Sequence, residues 1–254
     1  MKRTVIVGDV HGMLAPVRTL LDALQLVAGD VLVFAGDLVD KGPDSPGVLD
    51  LLAELSREAV FELVFVDGNH DDRHRRYQSN LSARLSVARE QASDAPELPA
   101  LDAAVSDAGR AFLNAAVPFY RVKGQDVLVV HGGIPGDMEA FPESVEAAEA
   151  LTGKARERFR KVLRTRYIDR ETGGFVALGK EAPGDPFWAQ LYDGRFGHVV
   201  FGHNPFLDGP KEFPHATGID TGAVHGGGLT ALVILEEGRR HFVRIPTETH
   251  VPKR

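Results

Sequence analysis

Apolar and polar positions fall in repeating blocks over residues 1–70: an apolar run, a polar turn, then an amphipathic stretch. Residues 4–7 predict a first strand, closed by a turn over 8–12, and apolar residues at helical spacing predict a helix over 14–26. Residues 31–35 repeat the strand and end on Gly36-Asp37. A helix is predicted over 46–56, with Asp44 or Ser45 as its N-cap. A third strand over 61–66 runs into Gly68-Asn69-His70-Asp71. Strands alternating with helices imply parallel βαβ units in a layered sheet, with functional groups collecting in loops at the carboxyl ends of the strands.

Residues 72–116 read as helical and polar, broken at Pro96 and Pro99. Runs at 119–122 and 127–130 flank Lys123-Gly124-Gln125-Asp126 and predict a hairpin. A second helical region is expected over 143–166, followed by strands near 198–201, 216–219, 229–236 and 241–245. No repeat or low-complexity linker interrupts the chain, so one domain over 1–254 is expected, with the helical insertions as a cap or rim.

Composition narrows the chemistry. The 254 residues are 43% hydrophobic and 26% charged, enough for a substantial core. No apolar run approaches the roughly 18 residues of a membrane span, and the N-terminus enters a strand without a cleavable leader, so a cytoplasmic location is expected. There is no cysteine, which excludes disulfides, thiolate metal sites and cysteine nucleophiles. A net charge of −7 argues against a stable nucleic-acid partner. It leaves phosphorylated substrates open, because bound metals supply positive charge locally.

Six segments concentrate the chemistry: Gly8-Asp9-Val10-His11-Gly12, Gly36-Asp37-Leu38-Val39-Asp40, Gly68-Asn69-His70-Asp71, His131-Gly132-Gly133, Gly202-His203-Asn204 and Gly218-Ile219-Asp220-Thr221-Gly222. Alone, a Gly-Asp after a strand is usually a turn, and a single histidine usually packs against the core. Five strand ends carrying ligand-type residues fit that explanation poorly. Carboxylate and imidazole are what Mn²⁺, Fe or Zn²⁺ take when no thiolate is offered.

In these motifs the sequence resembles the calcineurin-like metallophosphoesterases, and within them the phosphoprotein phosphatase superfamily, over residues 5 to about 235. The resemblance implies an α/β fold: a two-sheet β-sandwich flanked by helices, with a helical insertion. That moves the purely parallel expectation toward a mixed core. It implies two divalent metal ions, Mn²⁺ first, with Co²⁺, Fe or Zn²⁺ as other choices. Asp9 and His11 would bind one ion, Asp37 would bridge both, and Asn69, His131 and His203 would complete the second. A metal-bridging hydroxide would attack phosphorus in line, with His70 as general acid for the leaving oxygen and Asp40 orienting it. Asn69, Lys41, Arg164 and Arg166 are the candidates for holding phosphate, guanidinium suiting it through its forked donors. Arg156, Arg158, Arg160 and Lys161 read as a solvated helix face, Arg73 to Arg76 as facing either a long polyphosphate or water, and Trp188 and Tyr192 as core more than base-stacking rings.

Asp71 after Gly-Asn-His, and Lys41 after Asp40, resemble the symmetrical diadenosine tetraphosphatases and the phosphatases like them. Asp40 itself is the protein-phosphatase choice, and Trp188 to Arg195 resembles a stretch of RNA-repair end-healing phosphatases. The expected substrate is a small-molecule nucleotide, diadenosine tetraphosphate cut to ADP. A phosphoprotein, in the manner of serine/threonine phosphatases, is the alternative. A binding protein with a dead metal site is disfavoured, since every ligand position is filled.

Overall fold

The computed structural model describes residues 2–253. Ten strands form two five-stranded sheets among the described residues. The first has the order β10-β9-β1-β2-β3, built from β1 (Arg3–Val7), β2 (Val31–Phe34), β3 (Glu62–Phe65), β9 (Leu229–Leu235) and β10 (Arg240–Ile245). Here β1, β2 and β3 are parallel, with Ile6 opposite Val33, and β9 and β10 add antiparallel neighbours. The second has the order β4-β5-β6-β8-β7, from β4 (Tyr120–Arg121), β5 (Val127–Val130), β6 (His198–Phe201), β7 (Lys211–Phe213) and β8 (Ala216–Gly218). Its three central strands are parallel and its two edges antiparallel. Each sheet therefore offers three parallel strands, and both are mixed.

Side chains alternate across a strand with a period of two, so a sheet covered on both faces needs apolar residues at every position. Ile6, Val33 and Val66 from one sheet meet Val127, Val129 and Val200 from the other between the layers. Their neighbours Val5, Val7, Leu32 and Phe34 turn outward under α1 (Leu14–Leu24) and α2 (Ser45–Glu58). On the far side Leu128, Val130, Val199 and Phe201 lie under Trp188, which is 1% exposed. The layers approach closely at Gly8, where an added Cβ would lie 2.4 Å from the Ile219 carbonyl oxygen.

Helix starts follow local chemistry. Asp44 caps α2 by accepting the Gly47 N–H at 2.8 Å, with Pro46 in the first turn, where a missing N–H costs nothing. The expected helical stretch over 72–116 divides into α3 (Asn69–Ala83), α4 (Leu85–Asp94), α5 (Glu97–Ala104) and α6 (Asp107–Asn114). Pro99 breaks nothing: it stands in the first turn of α5, which begins just after Pro96. The region expected over 143–166 becomes α7 (Val145–Glu149), α8 (Gly153–Phe159) and a 3-10 turn over Arg160–Leu163. Two elements escape the hydrophobic pattern, α9 (Trp188–Leu191) and the exposed edge strand β7, each too short to show a period. No described helix is long and apolar enough to cross a membrane.

Candidate metal centre

The carboxyl ends of β1, β2 and β3 carry Asp9 and His11, Asp37 to Lys41, and Asn69 and His70. Those of β5, β6 and β8 carry His131, His203 and Asp220. Bonds across the layers bring the two sets together: the His203 N–H donates to both oxygens of Asp9, at 3.0 and 3.1 Å. The backbone here is bent into an unusual region. His11, Asp37, Asp40, Lys41 and His203 all have φ between 46° and 70°. Among the described non-glycine residues only Gln25, the C-cap of α1, joins them. Such conformations cost about 1–3 kcal/mol each and persist where the surrounding structure enforces them. Gly68 is required for the same closeness, since a Cβ there would meet the Asp37 nitrogen at 2.1 Å.

Asp37 sits at the middle. Its Oδ2 lies 3.6 Å from His11 Nε2, while its Oδ1 lies 3.3 Å from His131 Nε2 and accepts the His70 N–H at 2.9 Å. Ligand-type atoms of His11, Asp37 and His70 form one close group, and those of Asp37, His131 and His203 a second, each within 4.8 Å. Asp37 belongs to both. Asp9 Oδ2 stands 3.9 Å from His11 Nε2, and Asn69 Oδ1 3.1 Å from His131 Nε2. His131 Nδ1 donates to the Ala35 carbonyl and His11 Nδ1 to that of Val39, both at 2.9 Å. Those bonds fix the tautomers and leave each Nε2 lone pair facing the cluster, the outer-shell device by which metal-binding histidines are oriented.

Electrostatics points the same way. Burial pushes His11 down to about 3, against the pull of Asp37, and holds His203 well below its ordinary value, helped by His131 and Arg166. Both rings are therefore neutral at neutral pH, the form in which an imidazole can accept a cation. Burial raises Asp9 well above the usual carboxylate range, with Asp220 and Asp37 adding to it, and burial also raises Asp220. Crowded buried carboxylates beside neutral imidazoles are a donor set suited to divalent cations, so the residues present fit the metals that the motifs imply.

His70, in the first turn of α3, turns Nδ1 to Asp40 Oδ2 at 2.6 Å, which leaves Nε2 free. Its ring centroid is 5.0 Å from that of His11. Asp40 is held on both oxygens: His74 Nε2 reaches Oδ1 at 2.6 Å and Arg73 donates to Oδ2 at 3.1 Å. Burial alone would raise the Asp40 carboxyl, but the hydrogen bonds from His70 and His74 outweigh it and hold the group far below the usual range. Lys41 Nζ lies 2.8 Å from His11 Nε2, and Arg166 Nε donates to His203 Nε2 at 2.9 Å. Two of the four expected phosphate contacts, Lys41 and Arg166, thus touch imidazoles of the candidate metal cluster.

Other residues fall elsewhere. Arg164 meets the buried Asp72 at 3.5 Å, beside Arg160, which grips both oxygens of that carboxylate at 2.7 Å. Arg160 is therefore ion-paired, not merely part of a solvated helix face. Within Arg73 to Arg76, Arg75 pairs with Asp67 at 2.7 Å, His74 is buried, and Arg76 is 55% exposed. Trp188 and Tyr192 belong to the core, the Tyr192 hydroxyl donating to the Gly197 carbonyl. Two site residues had no role assigned from sequence. His74 is announced only by its four-residue spacing from His70 on one helix face. Asp220 lies buried at the end of β8, in a segment already conspicuous for its glycines.

Two mixed sheets with imidazoles and carboxylates gathered at opposed strand ends define a metal-dependent hydrolase scaffold. The chain belongs to the calcineurin-like phosphoesterases, whose family profile matches residues 2–218, and it is a hydrolase. It is 31% identical over 237 residues to the bis(5'-nucleosyl)-tetraphosphatase PrpE (asymmetrical) of Oceanobacillus iheyensis, covering 89% of this chain and 86% of that one. It is also similar to a solved structure described as a candidate diadenosine tetraphosphatase: 28% identity, TM-score 0.69, covering 97% of this chain and 94% of that one. A cold-active protein-tyrosine phosphatase of a psychrophilic Shewanella shares the fold at 17% identity and TM-score 0.58, over 95% of this chain and 80% of that one.

Proposed function

We propose that the protein hydrolyses dinucleoside polyphosphates of the diadenosine tetraphosphate kind, with two divalent cations, Mn²⁺ first among them. The observation that carries the two-cation part is the Asp37 carboxylate, which turns one oxygen to His11 and the other to His131 and so belongs to two ligand groups at once; the nucleotide part is supported by the bis(5'-nucleosyl)-tetraphosphatase relative. Asp9 and His11 hold the first ion in this reading, Asp37 both, and Asn69, His131 and His203 the second. When bound, two such ions withdraw charge from a phosphoryl group and make water a better nucleophile near neutral pH.

The chain's own groups do the rest. His70, steadied by Asp40 through Nδ1, offers Nε2 to the leaving oxygen as general acid, worth about 10²–10⁴-fold. Asp40 in turn is fixed by His74 and Arg73, so the acid is oriented by a buried network. Lys41 and Arg166 place cations beside the proposed ligand imidazoles and neutralise phosphate charge. The motifs imply equal products, ADP. The name of the Oceanobacillus relative carries unequal cleavage, and on that support we place the cut off-centre.

Purified protein with Mn²⁺ is assayed on diadenosine tetraphosphate beside a phosphoserine/phosphothreonine peptide, with products separated by chromatography. Preferential release of ATP and AMP is expected. ADP as the main product would move the cut to the centre. Preference for the peptide would replace the nucleotide by a phosphoprotein substrate.

A further inference from the structure

A cleft of about 730 Å³ opens from the cluster, lined by His11 and His203 at one part and by aromatic rings at another. Ligand pockets commonly span roughly 300–1,000 Å³, so it can take a group far larger than the phosphoryl under attack. Its charge runs against that of the chain: Lys41, Arg166, Lys211 and Lys253 line it with Asp220 as the one carboxylate, on a protein of net charge −7. Lys41 and Arg166 touch the ligand imidazoles. Lys211 and Lys253 have no such partner there, and Lys253 Nζ donates to the Pro205 carbonyl at 2.7 Å, tying residues 251–253 to the rim.

The rings are arranged as a surface. Phe187 stacks on Phe213 at 5.5 Å and 28°, and Tyr167 meets Phe187 edge-on at 6.1 Å. Tyr167 is 36% exposed, whereas Phe187 and Phe213 are half-buried and support it. The backbone pins this segment: Tyr167 and Phe187 form a β-bridge, and the Trp188 N–H donates to the Arg166 carbonyl at 2.9 Å. Consecutive residues therefore present a guanidinium to the metal-ligand cluster and a ring to the cleft. A simple phosphomonoester would leave that ring and the two outer lysines unused.

We propose that this cleft is the nucleoside end of the substrate site, with Tyr167, backed by Phe187, stacking on a base and Lys211 and Lys253 carrying the outer phosphates, an assignment that rests on the dinucleotide function proposed above. Stacking tolerates any base, because every base has a π-face. The site thus selects for a nucleoside polyphosphate without choosing strongly between adenine and guanine.

The test is kinetics of Tyr167→Ala with Mn²⁺ on diadenosine tetraphosphate and on p-nitrophenyl phosphate, which has no base. Loss of one base stack is expected to raise KM for the dinucleotide roughly tenfold, with little change in kcat. Values for p-nitrophenyl phosphate should stay within about twofold of wild type, and Tyr167→Phe should restore the dinucleotide KM. The double variant Lys211→Ala/Lys253→Ala should likewise raise KM for the dinucleotide alone, and most at low salt. If wild type cleaves the dinucleotide and Tyr167→Ala does so with unchanged KM, the stacking surface is refuted while the proposed activity stands. An equal loss on both substrates refutes it too, as general damage. A wild type active on p-nitrophenyl phosphate but inert on the dinucleotide overturns both proposals.

Discussion

Asp40→Asn isolates the support of the proposed general acid, His70, while leaving every proposed metal ligand in place. Asp40 is 8% exposed, and its carboxylate accepts from His70 and His74 at 2.6 Å each, and from Arg73 at 3.1 Å. An amide keeps one acceptor oxygen and turns its NH₂ toward a group that donates. At least one charge-assisted bond, worth about 1.5–3 kcal/mol, is then lost and a donor faces a donor. The expected cost in stability is about 2–4 kcal/mol, read from urea unfolding. A His70 ring no longer held through Nδ1 should lose most of its acid contribution, lowering kcat about 10²-fold where the leaving group is basic. The assay compares phenyl phosphate, whose phenolate has the basicity of tyrosine at about 10, with p-nitrophenyl phosphate, which leaves with little help. The deficit should shrink severalfold on the second substrate, with metal content unchanged. Equal losses on both esters, or loss of metal with activity, would refute the division between acid support and metal ligation.

Asp37→Asn removes the one carboxylate common to both ligand groups, so bound metal should fall from two ions per chain to one or none, with activity down by at least about 10³-fold, checked by elemental analysis of dialysed protein. A pH dependence follows from Asp9 and Asp220, both raised by burial. Raised carboxyls penalise the metal-free fold as pH climbs above their unfolded values, and cations remove that penalty by displacing the protons. The rise in Tm on adding Mn²⁺ should therefore be larger at about pH 8 than at about pH 5.5 by calorimetry, and an equal rise at both would contradict the sign. His11, already neutral down to about 3, adds nothing to that slope. Gly8→Ala forces a Cβ against the Ile219 carbonyl where the layers meet, and should cost about 1–3 kcal/mol in unfolding free energy.

Much of the architecture was legible because strands buried on both faces write themselves as unbroken apolar runs, and each ends in a glycine-flanked polar residue. Asp9, Asp37 and Asn69 stand out for that reason, and the structure gathers them with His131 and His203. What stayed hidden depends on contacts between distant segments. Nothing local tells that Arg160 and Arg164 find Asp72, or that Arg75 finds Asp67. His74 looked like one more polar residue in a basic run, because its burial comes from packing around Asp40 and not from its neighbours in sequence. The insertion over 72–116 was visible as helix with a break at Pro96, but its breaks at Arg84 and Val105 stayed hidden, since they carry no proline or glycine.

The ligand cluster is also a seam in time. Asp9 accepts from a residue 194 positions later, and His131 reaches back 96 positions to the Ala35 carbonyl. Contacts so distant in sequence form late, after the loops between them have closed. A chain emerging from the ribosome carries Asp9, His11, Asp37 and Asn69 long before His203 exists to face them. Full coordination at the proposed centre would have to wait until β6 has docked between β5 and β8. Metal capture at the proposed centre would thus mark the completed fold, and a chain stalled with its second sheet unassembled would lack both the grip on the ions and the chemistry proposed for them.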